Sequence, residues 1–148
     1  MELILWRHAD AESGIPDEER KLSAKGLKQA ARMADWLKAR LPKEAVILVS
    51  PARRAQETAR ALAKKFEVRA ELGTTATPRS VLDAAGWPGG EGAVVVVGHQ
   101  PTLGQAIALA LMGSTAEWSV RKGAIWWLER RDRDAETLVR TVISPDLL

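Results

Sequence analysis

Glu2-Leu3-Ile4-Leu5-Trp6-Arg7-His8-Ala9 is an apolar run of strand length that stops abruptly on two basic side chains. The pattern returns at Ala93–Val97, a β-branched run that ends on Gly98-His99-Gln100-Pro101. It returns again at Ala45–Val49, which ends on Ser50-Pro51. Three buried strands are therefore expected, each with a polar group at its carboxyl end.

The intervening segments have helical spacing. Leu27, Ala30, Ala31, Ala34 and Leu37 repeat at helical intervals with lysines and arginines between them, Ser23 is placed to cap the N-terminus, and Pro42 closes the segment. Ser50 followed by Pro51 reads as a second helix start, an N-cap hydroxyl before a first-turn proline, with the helix running to about Lys65. Phe66–Ala70 fits a short strand, and Pro78–Ala85 fits one or two helical turns inside the irregular stretch 73–92. A further helix is expected from Pro101 to Met112. Ala124–Arg130 and Thr137–Ile143 read as a hairpin around the charged turn Arg131-Asp132-Arg133-Asp134-Ala135. Alternating strands and helices imply an α/β fold with parallel strands and helices on both sheet faces. With no repeat, linker or low-complexity segment, residues 1–148 read as one domain.

Composition narrows the chemistry. The chain has 148 residues, 28% of them charged, and a formal net charge of +3, a mild bias that suits an anionic substrate. It has no cysteine, which removes disulfides, thiolate metal sites and a cysteine nucleophile. With only His8 and His99, a zinc site would need several carboxylates, so no metal or other cofactor is expected. No apolar stretch suits a targeting segment or a membrane span, so a cytoplasmic monomer without a membrane partner is the expectation. Basic residues alternate with acids along the helices, and Trp126 and Trp127, adjacent in a strand, must face opposite sides. That is no stacking platform, and nucleic acid is not expected as a partner.

Ligands of open α/β sheets bind outside the carboxyl ends of the strands. Arg7-His8, Ser50 with Arg53 and Arg54, and His99 all fall there, and two histidines with arginines around one point make a phosphate site. Guanidinium binds phosphate oxygens bidentately without losing its charge. A neutral imidazole nitrogen can attack phosphorus, and neighbouring arginines disfavour its protonation. A second histidine can donate to a phosphoryl oxygen as charge builds.

Leu5-Trp6-Arg7-His8-Ala9 resembles the Arg-His-Gly signature of the histidine phosphatase superfamily. Ser50-Pro51-Ala52-Arg53-Arg54-Ala55-Gln56-Glu57-Thr58-Ala59 resembles its Ser-Pro-x-x-Arg-Ala-x-x-Thr-Ala element, and Val97-Gly98-His99-Gln100-Pro101 its third element. Arg20-Lys21-Leu22-Ser23-Ala24-Lys25-Gly26, Lys122-Gly123-Ala124-Ile125 and the short length resemble the phosphohistidine phosphatases of the SixA type. The resemblance implies a three-layer, phosphoglycerate mutase-like fold with a mostly parallel sheet. It implies that His8 is the phosphate-accepting nucleophile, that Arg7 and Arg54 bind the phosphoryl group, and that His99 completes the pocket, with Arg53 facing outward. Ser50 reads as a helix cap with phosphate contact as a second role. Ala9 departs from the signature glycine.

A phosphate ester leaves as an alkoxide and benefits from a positioned acid. Glu71, just after the third strand, is the candidate by position; Asp10, Asp83 and Glu91 are alternatives, and none falls in a motif. A phosphorus–nitrogen bond needs less help, so the expected substrate is phosphohistidine in a protein, such as a phosphorelay component in signal transduction. A small phosphate monoester is the alternative substrate. A phosphoprotein-binding module that keeps the pocket only as an anion site is a third reading, opposed by the intact histidines and arginines. The stretch 73–92 is too short for a capping subdomain, which implies an open pocket.

Overall fold

In a strand of four consecutive apolar residues both faces must be covered, and in the computed structural model Leu3, Ile4, Leu5 and Trp6 of β1 (Glu2–Arg7) are all fully buried. The structure describes residues 1–131 and 136–148. β1 lies inside a six-stranded sheet, parallel to β4 (Ala93–Gly98) on one side and antiparallel to β5 (Ile125–Arg131) on the other. β2 (Val46–Val49) lies parallel to β4, and β3 (Glu67–Val68) parallel to β2. β6 (Glu136–Ile143) pairs antiparallel with β5, giving the order β3-β2-β4-β1-β5-β6. The expected turn 131–135 falls, apart from Arg131, outside the described residues.

Alternation along β1 sorts its side chains between two cores. Leu3 and Leu5 pack with α3 (Pro78–Ala85) and α4 (Thr102–Met112) through Val81, Leu82, Leu103 and Ile107. Ile4 and Trp6 pack with α1 (Ala24–Lys38) and α2 (Arg53–Leu62) through Met33, Leu37, Ala55 and Ala59. Helices thus cover both faces in three layers. Each large apolar side chain buried this way contributes about 1.5–3 kcal/mol. Trp126 and Trp127 divide between the same two cores, Trp127 meeting the half-buried Trp36 edge to face and Trp126 stacking on Trp118. Trp87 is buried in the α3–α4 core and anchors the stretch 73–92 there.

Two helical details differ from the sequence reading. Leu27 is 56% exposed and Ala31 is exposed too, because the inward stripe of α1 is Gly26, Ala30, Met33, Ala34 and Leu37. Gly26 allows the first turn of α1 to lie directly on the Asp10 backbone, where any Cβ would overlap the Asp10 carbonyl. Ser23 caps α1 as expected, accepting the Gly26 N–H at 3.0 Å. By contrast, α2 begins at Arg53 with Ala52 at its N-cap, two residues later than Ser50-Pro51 suggests.

Candidate active site

The chain leaving β1 goes to α1 on one face, whereas the chain leaving β4 goes to α4 on the other. The two exits diverge between neighbouring strands, the arrangement that opens a crevice at the sheet edge. Arg7 is registered with Gly98 across the β1–β4 ladder, so His8 and His99 are the next residues on each strand. The His8 N–H donates to the Gly98 carbonyl at 3.1 Å, and the imidazole centroids stand 5.2 Å apart. Parallel pairing is what brings together two histidines far apart in sequence.

Both rings are buried. His8 Nδ1 lies 2.7 Å from the Ala9 carbonyl oxygen. A carbonyl only accepts, so Nδ1 carries the proton and Nε2 keeps its lone pair. Burial lowers the His8 pKa to about 3; the Ala9 hydrogen bond opposes the shift, and His99, Arg54 and Arg7 add to it. Burial, with Arg54 next, lowers His99 to about 4, against an opposing effect from Asp17. Both imidazoles are neutral at pH 7, and His8 is in the nucleophilic form.

Ser50 is fully buried, and its Oγ stands 2.7 Å from His99 Nε2 while accepting the Ala52 N–H at 3.1 Å. Among the described residues the hydroxyl proton has no other acceptor than His99 Nε2, so Ser50 donates there and the His99 proton sits on Nδ1. Ser50 is therefore a positioning residue for His99 rather than the cap of α2.

Arg54 is buried in the first turn of α2. Its Nη1 and Nη2 donate to the Asp17 carbonyl and to Asp17 Oδ2, at 2.8 and 3.0 Å. Arg53 faces outward and pairs with Glu57 at 2.9 Å. Arg7 Nη1 donates to the Val120 carbonyl at 2.8 Å. The Nε atoms of Arg7 and Arg54 are buried without an acceptor among the described residues. Thr58 ties α2 to the end of the strand that bears His8, accepting the Ala9 N–H at 3.0 Å and donating to the Arg54 carbonyl at 2.8 Å. The methyl of Ala9 is buried against Leu22 and Ala30.

The structure thus assembles His8, Arg7, Arg54, His99 and Ser50. It does not bring Glu71 to them: that carboxylate is exposed and accepts from Arg69 Nε at 2.8 Å. Glu91 precedes β4 and lies at the opposite end of the sheet, and Asp83 is exposed on α3. Asp10 accepts from Ser23 Oγ at 2.6 Å and Lys122 Nζ at 2.9 Å, bonds that hold its pKa below the usual carboxylate value. Asp17, on the loop after β1, is the member that sequence reasoning missed. Hydrogen bonds from Arg20 and Arg54 lower its pKa too, so it is ionised at neutral pH. Among the described residues no group of three or more histidines, cysteines and carboxylates is arranged to hold a metal, and no helix is long and apolar enough to cross a membrane.

A model of the histidine phosphatase superfamily (branch 1) matches residues 3–76. The chain is also 33% identical over 124 residues to a phosphohistidine phosphatase SixA homolog of Haemophilus influenzae, covering 73% of this chain and 76% of that protein. The chain belongs to the histidine phosphatase superfamily. An uncharacterized protein of Mycobacterium tuberculosis is 34% identical over 114 residues, covering 74% of this chain and 72% of that one. Across the whole length, this histidine phosphatase chain superposes on the protein histidine phosphatase SixA complexed with tungstate, with a TM-score of 0.85, 26% identity and 99% of each chain covered. These likenesses give the chain its SixA type and its phosphoglycerate mutase-like, three-layer fold.

Proposed function

We propose that this chain is a phosphatase that works through N-phospho-His8 and takes the phosphoryl group from phosphohistidine in a protein. The observation that carries this is the state of His8: neutral, with Nδ1–H given to the Ala9 carbonyl and Nε2 free, beside Arg7, Arg54 and His99. Nε2 attacks phosphorus as the substrate phosphorus–nitrogen bond breaks, and the departing imidazole takes a proton from solvent. Arg7 and Arg54 balance the charge on the phosphoryl oxygens, and His99 Nδ1–H donates to one of them. The Ala9 carbonyl supports the positive imidazole ring of phospho-His8. Water then attacks phosphorus, the phosphorus–Nε2 bond breaks, and phosphate leaves with neutral His8 restored. In this step guanidinium charge performs the task a metal would otherwise perform.

The choice of bond follows from the carboxylates. Asp10 and Asp17 are ionised and occupied, and Glu71 is turned to Arg69. An alkoxide leaving group has no ready proton donor here, whereas an imidazole leaving group needs none positioned. Tungstate is a tetrahedral oxyanion like phosphate, and its complex with a protein of this fold supports an oxyanion as ligand. The stretch 73–92 folds into the core through Val81, Leu82 and Trp87, which supports an open mouth that admits a macromolecular substrate. The second reading, a small-ester phosphatase, rests on Asp17, whose carboxylate touches Arg54 and would have to take up a proton on substrate binding.

The test is to mix the chain with a phosphohistidine-bearing protein and with small phosphate esters. Dephosphorylation of the protein, with an acid-labile phosphoryl group trapped on His8 and none on His8→Ala, is the expected result. Faster turnover of the small esters would sink the substrate assignment, and undiminished hydrolysis by His8→Ala would sink the mechanism.

A further inference from the structure

Five cations gather beside the site without belonging to it. Lys25, Lys28 and Arg32 lie along one exposed side of α1, and Arg121 and Lys122 precede β5. Two cavities of about 420 Å³ each run between these residues and the C-terminal turn at Pro145 and Asp146. Lys25, Gln29, Pro145 and Asp146 line both, so the two form one continuous groove. Its acids are answered from within, Asp10 by Lys122 at 2.9 Å and Asp146 by Arg121 at 3.4 Å. Among the described residues, no carboxylate lies within ion-pairing distance of Lys25, Lys28 or Arg32. The groove therefore has an excess of positive charge.

Topology sets this groove on the rim where His8 stands. α1 starts, β5 starts and β6 ends at the carboxyl end of β1. The connection is also direct: Gly123 N–H donates to the Arg7 and His8 carbonyls, both at 3.1 Å, and Gln29 Oε1 accepts the Asp10 N–H at 2.9 Å. From Lys25 to Arg32 the helix advances about 10 Å, the reach of three extended residues.

We propose that this groove docks an acidic, extended segment of the phosphorylated protein, lying alongside the residue whose phosphoryl group enters the crevice. This rests on the reading of the chain as a phosphatase of protein phosphohistidine. A shallow, open groove with exposed cations and continuity to the site suits a polypeptide strand with several carboxylates, engaged through charge more than through burial.

The experiment separates docking from chemistry. The probes are a fluorescein-labelled hexapeptide carrying glutamates, its glutamine counterpart, and a short single-stranded oligonucleotide of matched charge. Binding to the full chain is read by anisotropy at low and high salt. The wild-type chain should bind the glutamate peptide about tenfold more tightly than the glutamine peptide, and Lys25→Glu/Lys28→Glu/Arg32→Glu should erase the difference. In turnover, the triple variant should raise KM for a phosphohistidine peptide bearing the acidic segment while leaving kcat unchanged. Equal binding of both peptides, tighter binding of the oligonucleotide, or an unchanged KM in the triple variant would overturn the proposal. Absence of phosphohistidine hydrolysis by the wild-type chain would overturn the functional reading on which the docking proposal rests, while the anisotropy arm would report on the groove itself.

Discussion

Asp17 engages both terminal nitrogens of Arg54, one through its backbone carbonyl and one through its carboxylate. The guanidinium proposed to bind the phosphoryl group is thereby oriented in advance, at the cost of a carboxylate beside the proposed phosphate position. Replacing Asp17 with Asn keeps the carbonyl contact and removes the charge. Inhibition by inorganic phosphate or tungstate is expected to strengthen about two- to fivefold, the scale of a partly exposed ion pair. Weaker inhibition would show that Asp17 orients Arg54 more than it competes with the anion.

The two histidines predict an acid-side loss of stability. Their folded pKa values of about 3 and about 4 lie below the ordinary value of 6.5, so the unfolded chain binds more protons between those limits. Stability contributed by the neutral rings is complete above pH 6.5 and drains as pH falls, by up to about 1.4 kcal/mol per histidine per pH unit. The carboxylates lowered below 3.8, Asp10, Asp17 and Asp146, act only at lower pH. Urea midpoints between pH 7 and pH 4.5 should therefore fall in the parent chain and fall less in His99→Gln. In the pH–rate profile, the acidic limb of kcat/KM should lie well below 6.5; a limb near 6.5 would contradict the burial of His8.

Ser50→Ala removes the donor that fixes the His99 tautomer and leaves a buried ring nitrogen unpaired. A loss of about 1–3 kcal/mol in transition-state stabilisation is expected, roughly ten- to hundredfold in kcat, with KM little changed. Ser50→Thr keeps the hydroxyl and should restore much of the rate. Equal losses in both variants would point to packing instead of tautomer control.

Gly26→Ala places a methyl group where the Asp10 carbonyl lies, and Gly104→Ala places one on the Trp118 carbonyl. Each should cost about 1–3 kcal/mol by urea denaturation. Both should also depress kcat, because Asp10 follows His8, the proposed nucleophile, by two residues, and Trp118 precedes Val120, the acceptor that holds Arg7, by two. An unchanged kcat in either destabilised variant would refute that coupling.

The parts of the site that lay next to an apolar run were readable in the sequence. Arg7-His8 and His99 follow runs that had to be strands, and strand ends are where chemistry collects. Motif position singles out Arg54 over Arg53, and the structure buries the one and exposes the other. Asp17 was not readable: it sits in a polar loop beside Glu18 and Glu19, where no periodicity singles out one acid. Ser50-Pro51 carries a true helix-start signal, but the buried hydroxyl found His99 as its partner, a contact set by long-range pairing. Leu27 fits the helical stripe by spacing, yet Gly26 beside it makes the close contact and turns Leu27 outward. The sheet order could not be read either, since β1 pairs with strands distant in sequence at β4 and β5.

That pairing has a consequence for biosynthesis. β1 is made before both of its sheet neighbours, which begin only at Ala93 and Ile125, so the strand bearing His8 has no partner on either side until they follow. The Gly123 N–H that holds the Arg7 and His8 carbonyls also arrives late. Until β5 has been made, the proposed phosphoryl site therefore lacks the strand and the Gly123 N–H that fix the Arg7-His8 backbone.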